Sequence, residues 1–341
     1  MNPVLVTGAT GFLGREIVRV LVERGAEVHA LARPGSPRGP LNALRVRWHE
    51  GDLRDSTEVR RALEAVASRA RERGVRANVV HSGALISYRT RDRELARATN
   101  VEGTEILVDS AIRTGVGRFL HVSSVVTVGS SRDGRAVDET REFDLADLGV
   151  HYVDTKRAAE EHVLGVSGDL DAVVVNPGAI FGPVERASNT VRTIRRLAEG
   201  HPPPFLPSGS VGVVGVADVA DGCLRALERG RRGERYLLVE SNLSTRELLA
   251  TIARALGVPA PGRVLPRPAW RVLTAAAHVW DRFFPMQLTP PQALTMLGID
   301  LRFDSGKARR ELGWSPRPFE EVIRETIDQL RARGELAGAG R

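Results

Sequence analysis

The first fourteen residues constrain the fold of this chain more than any other stretch. Residues 2–6, Asn-Pro-Val-Leu-Val, form a short apolar run suited to a buried parallel strand. A glycine-rich turn, Thr-Gly-Ala-Thr-Gly-Phe-Leu-Gly, occupies residues 7–14, and residues 15–23 continue at helical period. Strand, glycine-rich turn and helix in this order are typical of a dinucleotide-binding site.

The three glycines of this turn are spaced G-x-x-G-x-x-G rather than G-x-G-x-x-G. Gly8 would allow a tight turn, Gly11 would let the backbone approach a pyrophosphate, and Gly14 would let the helix pack closely on the strand. The alternative to a cofactor site is an ordinary glycine-rich junction between a turn and a helix, which binds no ligand. The residues expected to contact the cofactor in this turn are Gly8, Thr10, Gly11, Phe12, Leu13 and Gly14.

Apolar strand-like runs alternate with amphipathic helical segments from residue 2 to residue 176. This alternation predicts an α/β fold with a Rossmann-type, doubly wound parallel sheet. Further strands are expected at 27–31, 45–48, 79–82, 118–123 and 172–176, and helices at 55–73, 94–113 and 152–164.

The character of the chain changes after Pro177, where proline- and glycine-rich loops punctuate shorter elements. We therefore predict a dinucleotide-binding domain at 1–177 and a smaller mixed α/β substrate lobe at 178–335, from which the chain can re-enter the first sheet. A flexible tail is expected at 336–341. The elements expected in the lobe are a strand at 236–239 and helices at 244–256 and 270–284, and the segments 307–314 and 319–333 close the chain.

Composition narrows the class of protein. Hydrophobic residues at 42% and charged residues at 27% are ordinary for a soluble globular chain. No run of 18 apolar residues predicts a spanning helix, and because the first strand begins at once we expect no signal peptide. The single Cys223 excludes an internal disulfide, which favours a cytoplasmic location.

The net charge of +7 raises the question of nucleic-acid binding. In the helix predicted at 55–73 the arginines alternate with glutamates, which is typical of a solvated face. Because no basic patch is interleaved with aromatic residues, we predict no nucleic-acid partner. Of the 49 basic residues only Lys156 and Lys307 are lysine.

Tyr152 and Lys156 are four residues apart, which on a helix places both on one face. A phenol titrates near pH ~10. A neighbouring ammonium favours the phenolate, so that Tyr152 could transfer a proton while a nicotinamide exchanges a hydride at carbon. An incidental surface pair is the alternative, made less attractive by the scarcity of lysine.

Ser123 and Ser124 end the predicted strand at 118–123, at the edge where the helix bearing Tyr152 would begin. A serine hydroxyl there can hold the oxygen of a substrate. Alone, two serines after a strand indicate turn chemistry; with the Tyr152–Lys156 pair, we predict that Ser124 is catalytic.

These motifs in this order resemble the extended short-chain dehydrogenase/reductase superfamily, of the NAD-dependent epimerase/dehydratase type. Within it, the sequence most resembles dihydroflavonol-reductase-like and 3β-hydroxysteroid-dehydrogenase-like proteins. The resemblance covers nearly the whole chain and rests on the glycine turn at 7–14, Ser124, Tyr152-x-x-x-Lys156, Asn-Pro-Gly at 176–178 and Leu-Gly-Trp-Ser-Pro at 312–316.

The resemblance implies roles for the matching residues. Ser124, Tyr152 and Lys156 would be the catalytic set, and Lys156 would also hold the nicotinamide ribose. Asp52 and Leu53 would flank the adenine. The remaining cofactor contacts implied are Ser82, Gly83, Ala84, Asn100 (ordering water or backbone near the active site), Ser123, and Pro177, Gly178 and Ile180, where backbone would meet the carboxamide.

One segment departs from the family pattern. Relatives usually carry His-x-Ala-Ala after the fourth strand, whereas this chain has His-Ser-Gly-Ala at 81–84. We expect the glycine at 83 to loosen the backbone under the cofactor. We expect His81 to be a packed residue rather than a base.

The end of the second strand bears on the choice of cofactor. An acidic residue there would bind the ribose 2′-hydroxyl of NAD, but the strand ends in Ala32-Arg33. Because an arginine can pair with a 2′-phosphate, we predict NADP, with NAD the less favoured cofactor. A solvated loop arginine is the alternative for Arg33.

Several absences bear on the substrate. Val125 and Val126 follow Ser124, where sugar-nucleotide dehydratases carry a carboxylate, and residues 210–217 lack the arginine that clamps a diphosphate. Arg192, Arg195 and Arg196 could substitute, but their spacing is typical of a solvated helix run. The lobe supplies an apolar cluster that could be core, a lid over a lipophilic substrate or a membrane contact: Trp270, Val272, Leu273, Ala276, Val279, Trp280, Phe283 and Phe284.

The sequence therefore predicts an NADP-dependent oxidoreductase interconverting a ketone or aldehyde and an alcohol on a lipophilic or non-nucleotide small molecule. No metal is expected. An NAD(P)-dependent sugar-nucleotide epimerase and a non-catalytic cofactor sensor are the alternatives. The resemblance to the family also implies a homodimer through helices like those at 94–113 and 152–164.

Overall fold

The computed structural model describes residues 1–131, 133–183, 189–284 and 290–336. Seven parallel strands form the main sheet in the order β3-β2-β1-β4-β5-β6-β9, and β10-β8-β7 form a second sheet. The predicted doubly wound α/β fold is confirmed. The strands are β1 (Val4–Thr7), β2 (Val28–Ala32), β3 (Val46–Glu50), β4 (Asn78–His81), β5 (Arg118–Val122), β6 (Ala172–Pro177), β7 (Ala179–Phe181), β8 (Ser210–Gly215), β9 (Arg235–Leu238) and β10 (Ser241–Ser244).

Helices cover both faces of the main sheet. On one face α1 and α7 pack against alternate side chains of the strands, and on the other α2, α4 and α5 do so. The helices are α1 (Phe12–Glu23), α2 (Ser56–Glu72), α3 (Arg93–Arg97), α4 (Gly103–Thr114), α5 (His151–Gly165), α6 (Asn189–Ala198), α7 (Val216–Arg229), α8 (Thr245–Leu256), α9 (Arg267–Asp281), α10 (Pro291–Leu297), α11 (Gly306–Leu312) and α12 (Phe319–Ala332).

The prediction of one uninterrupted helix at 94–113 is wrong. A π-helical turn at Ala98–Glu102 separates α3 from α4. Asn100 sits in this turn with its side chain bound to Leu85. An extra residue in a helical turn re-aims a side chain, and such turns are frequent at functional sites.

The third strand is longer than expected. It runs to Glu50 because β3 stays in parallel register with β2 as far as the pair Ala32↔Glu50. The strands β4 and β5 instead stop at His81 and Val122, so Ser82 and Ser123 lie just beyond the carboxyl edge of the sheet.

Residues after Pro177 contribute to both sheets. The chain leaves β6 into β7 and β8, and β9 then pairs parallel with β6 as the seventh strand of the main sheet. A separate apolar cluster joins the second sheet to α6, α8 and α12. Of the tail expected at 336–341, residues 337–341 lie outside the described residues.

Candidate active site

The glycine turn closes tightly over the first strand. Gly8 has φ of +70°, and a Cβ at Gly14 would lie 2.0 Å from the carbonyl oxygen of Gly8. Gly11 is the N-cap of α1 and, within the described residues, no side chain caps that end of the helix. The first-turn amides can therefore bind an anion, which fits the pyrophosphate of a dinucleotide.

Thr10, Phe12 and Leu13 of the glycine turn lie in different environments. The carbonyl oxygen of Thr10 accepts a hydrogen bond from Arg15 Nε at 3.1 Å. Phe12 packs against the apolar cluster of the second sheet, and Leu13 packs against the main core. Any contact of Phe12 or Leu13 with a phosphate would therefore use the backbone.

Arg33, Asp52 and Leu53 follow β2 and β3 at the same edge. Arg33 is exposed. Asp52 pairs with Arg54 at 2.8 Å, and hydrogen bonding from Arg54, with a smaller effect of the charge on Arg33, holds the pKa of Asp52 below its usual value. Leu53 packs over the backbone of Gly83.

The segment after β4 is tight rather than loose. Ser82 Oγ donates to the carbonyl oxygen of Thr7 at 2.8 Å. A Cβ at Gly83 would lie 2.7 Å from Leu53 Cδ1. The expectation that Gly83 loosens this backbone is therefore wrong, because the glycine is needed for close approach. Ala84, next in the chain, is exposed.

Asn100 connects this segment to the helix that carries the predicted catalytic pair. Its Oδ1 accepts from the Leu85 amide at 2.7 Å, and its Nδ2 donates to the Leu85 carbonyl at 3.0 Å. The same Nδ2 lies 3.2 Å from Thr155 Oγ1 in α5. Asn100 thus orders the backbone beside the active site.

Lys156 is buried beneath the carboxyl edge of the sheet. Its Nζ donates to the carbonyl oxygen of Val122 at 2.9 Å. Burial lowers the pKa of the Lys156 ammonium from 10.5 to about 8, and the carboxylate of Glu160 opposes this change. The amine can therefore exchange its proton near neutral pH.

Tyr152 is also buried, one turn before Lys156. Burial raises the pKa of its phenol, and a hydrogen bond with Ser124 lowers it by a smaller amount. The expected lowering by Lys156 is not found, because the phenol lies in an apolar cluster and the ammonium is directed to Val122. The ring of Tyr88 meets that of Tyr152 edge-on at 5.5 Å.

The two serines after β5 differ in their hydrogen bonding. Ser124 Oγ accepts from the Val126 amide at 3.4 Å and caps a short 3-10 turn. Ser123 Oγ is buried and has no hydrogen-bond partner among the described residues. A buried hydroxyl of this kind needs a partner, which a bound ligand could provide.

Glu160 is a residue that the sequence analysis missed. It lies one turn after Lys156 and is fully buried. Its carboxylate accepts from Thr127 Oγ1 at 2.6 Å and from Asn176 Nδ2 at 2.7 Å. It also pairs with Arg235 Nη1 at 3.1 Å. The repeat of four from Tyr152 to Lys156 to Glu160 was the available signal.

The segment after β6 lies close to the second sheet. A Cβ at Gly178 would lie 2.4 Å from the carbonyl oxygen of Gly212, so only glycine fits there. Pro177 ends β6, and Ile180 is partly buried against the main core in β7. The backbone of this segment therefore passes the carboxyl edge of the main sheet.

His81 is held inside the protein by two threonines. Its Nδ1 is 2.6 Å from Thr7 Oγ1 and its Nε2 is 2.9 Å from Thr104 Oγ1. Burial, with a smaller contribution from Lys156, lowers the pKa of His81 to about 3. Because the imidazole is neutral and both of its nitrogens are hydrogen-bonded to threonine, His81 is a packed residue rather than a base.

A sequence model of the NAD dependent epimerase/dehydratase family matches residues 4–238, a range that includes the glycine turn, the buried Tyr152–Lys156 pair and the adjacent serines. The chain belongs to this family. The predicted resemblance to extended short-chain dehydrogenases/reductases is confirmed, and the protein is an NAD(P)-dependent oxidoreductase of that kind.

Two relatives resemble this family member along nearly their whole length. "Sterol demethylase protein B" of Methylococcus capsulatus is 36% identical, over 97% of this chain and 99% of that protein. The 4-hydroxy-2-methyl-3-oxo-4-farnesyl-3,4-dihydroquinoline-1-oxide ketoreductase of Stigmatella aurantiaca is 31% identical, over 98% of this chain and 97% of that protein.

Solved structures show the same architecture. The crystal structure of gox2253 is 31% identical, with a TM-score of 0.85 over 99% of this chain and 100% of that chain. The UDP-glucose 4-epimerase of Thermus thermophilus, solved in complex with NAD, is 25% identical, with a TM-score of 0.74 over 96% of this chain and 99% of that chain.

Proposed function

We propose that this oxidoreductase interconverts a ketone or aldehyde and an alcohol on a lipophilic, non-nucleotide small molecule, with NADP as cofactor. A bound nicotinamide would supply hydride exchange at the carbonyl carbon. In our proposal Ser124 orients the oxygen of the substrate, Tyr152 gives or takes the proton at that oxygen, and Lys156 holds the nicotinamide ribose.

The observation that carries this proposal is the apolar surroundings of Tyr152. The phenol belongs to a buried cluster that includes Val125 and Val126 after β5, and Met296, Leu301 and Phe303 from the C-terminal part of the chain. Apolar side chains of this kind would bind a carbonyl compound that is itself largely apolar. The name of the Stigmatella ketoreductase describes a farnesylated carbonyl substrate for that protein, in line with this proposal.

NADP is proposed on the position of Arg33. Its exposed guanidinium follows β2 directly, where a ribose 2′-substituent is bound in folds of this type. Asp52 at the end of the next strand is already paired with Arg54. An arginine without an acidic residue on the same strand end favours a 2′-phosphate over a 2′-hydroxyl.

A sugar-nucleotide epimerase is the second candidate, since the Thermus structure is named as one. One of the helix arginines that could clamp a diphosphate is already paired, which disfavours this candidate: Arg195 Nη2 is 2.6 Å from Glu335 Oε2. A non-catalytic cofactor sensor is less favoured, because sensing would not need Tyr152 beside Ser124.

The homodimer through α4 and α5, the cytoplasmic location and the division into a domain at 1–177 and a lobe at 178–335 stay predictions. The residues proposed for the proton transfer, Ser124, Tyr152 and Lys156, all precede Pro177, whereas part of the apolar cluster around the phenol follows it.

The test is NADPH oxidation by the purified protein with a panel of hydrophobic ketones, alongside UDP-glucose and UDP-galactose. We expect stoichiometric consumption of NADPH with at least one ketone and faster turnover than with NADH. Epimerisation of a UDP-sugar without net consumption of cofactor would contradict the proposal.

A further inference from the structure

One face of helix α9 carries an apolar stripe that is open to solvent. Val272 is 70% exposed, Trp280 58% and Phe283 73%. At 100° per residue these side chains, with Ala269, Leu273, Ala276 and Val279, fall within about 120° of the helix. The rings of Trp280 and Phe284 lie 4.8 Å apart just where the helix ends.

The opposite face of α9 fixes the helix to the protein. Trp270 and Thr274 are buried, and Trp270 Nε1 donates to the carbonyl oxygen of Leu294 at 3.0 Å. His278 Nε2 lies 3.1 Å from Thr295 Oγ1. The core-packing alternative therefore holds for Trp270 but is wrong for the exposed members of the cluster.

Two exposed arginines lie beyond one edge of the stripe. At 100° per residue, Arg282 falls about 60° and Arg271 about 80° past Val279 on the polar side of α9, whereas Arg267 lies on the face opposite the stripe and pairs with Asp300. The chain as a whole carries a net charge of +7. An apolar helix face with arginines on its polar side and a net positive chain complements an anionic lipid surface, into which such helices insert their apolar side chains.

The anchored face of α9 packs on the element that reaches the Tyr152 cluster. Trp270 packs against Gly298 at the end of α10, and Met296 of α10 belongs to the buried cluster that contains Tyr152. The helix that carries the stripe is thus connected to the apolar side chains beside the phenol through α10.

We propose that the exposed face of α9 docks on an anionic phospholipid membrane and brings lipid-dissolved substrate to the Tyr152 site. The part concerning substrate rests on the proposed function. Among the described residues, no helix has the length and apolar character needed to cross a bilayer. The stripe is about 22 Å long and about 10 Å wide, so it covers roughly 220 Å², far below the roughly 800 Å² per partner of a stable dimer.

The experiment is flotation of the full chain with phosphatidylcholine vesicles, with and without phosphatidylglycerol. We expect binding that requires phosphatidylglycerol and weakens with salt. The double variant Trp280→Ser/Phe283→Ser should lower the partition coefficient about tenfold or more, and Arg271→Glu/Arg282→Glu should abolish the preference for phosphatidylglycerol. Val75→Ser removes an exposed apolar side chain elsewhere and should bind like the parent chain.

Three results would overturn docking: a parent chain that stays unbound, a Trp280/Phe283 variant that binds equally, or a dimer in light scattering that this variant dissociates. Turnover of a water-soluble ketone, measured on the same proteins without vesicles, reports on the proposed function separately. If the parent chain turns over this ketone but does not bind vesicles, docking is overturned and the proposed function stands.

Discussion

Asn176 Nδ2 donates to Glu160 Oε2 at 2.7 Å inside the protein, where the glutamate is fully buried. The same carboxylate pairs with Arg235. Glu160 therefore ties the helix of Tyr152 and Lys156 to β6 and β9, and its charge raises the pKa of Lys156 against the effect of burial. We infer that Glu160 is a positioning residue for Lys156.

Replacing Glu160 by Gln should destabilise the protein and shift its pH profile. The amide leaves the largely buried Arg235 without its counter-ion, and breaking a buried pair costs about 3 kcal/mol of unfolding free energy. Loss of the negative charge lowers the pKa of Lys156 further, so the profile of kcat/KM should move to lower pH. Urea unfolding and pH–rate profiles measure the two effects.

Glu161→Gln is the matched control. Glu161 is exposed and pairs with Arg157 on the surface, so its variant should unfold within about 0.5 kcal/mol of the parent chain. Equal effects of the two substitutions on stability and pH profile would refute a positioning role for Glu160.

Because the pKa of Lys156 is lowered in the folded protein, we expect this residue to contribute more to the unfolding free energy as the pH rises above 8. Between the folded value of about 8 and the ordinary value of about 10.5, the unfolded chain binds a proton that the native protein does not. The unfolding free energy of the parent chain minus that of Lys156→Met should therefore grow by about 2 kcal/mol from pH 8 to pH 10. Urea unfolding at both pH values tests this, and a difference that falls or stays flat would contradict it.

Two phenols lie at the site, and substitution can tell them apart. Tyr152→Phe removes the proposed proton donor and should lower kcat about a thousandfold, while the affinity for NADPH stays nearly constant. Tyr88→Phe keeps the edge-on ring contact and should cost less than about tenfold. Steady-state kinetics and fluorescence titration of NADPH measure both quantities. The reverse order of losses would assign the proton to Tyr88.

The substitution Arg33→Asp should change the cofactor preference of the protein from NADP to NAD. The new carboxylate repels a 2′-phosphate and can accept from a 2′-hydroxyl, so we expect at least a tenfold loss of NADPH affinity, about 1.4 kcal/mol. Arg45→Asp makes the same charge change just before β3, away from the carboxyl edge, and serves as the control. Equal NADPH dissociation constants for the two variants would mean that Arg33 is a solvated loop residue.

The predicted fold followed from local patterns in the sequence. Apolar runs and amphipathic segments are set by neighbours within a few residues, so the strands β1 to β6 and the helices between them could be placed to within a few positions, whereas β7, α7 and β10 were not predicted. The π turn at Ala98–Glu102 could not, because it depends on Asn100 bonding to Leu85 across a loop. The close packing at Gly83 likewise depends on the side chain of Leu53, which is distant in sequence.

The sequence by itself determined the family and the residue types of the site, since the glycine turn and the spacing of Tyr152 and Lys156 are local features. Only the tertiary structure decided the protonation chemistry and the exposed surface. The pKa of Tyr152 depends on desolvation by side chains from distant segments. The stripe on α9 is apolar in sequence, like a core helix, and its exposure depends on which face Trp270 fixes to α10.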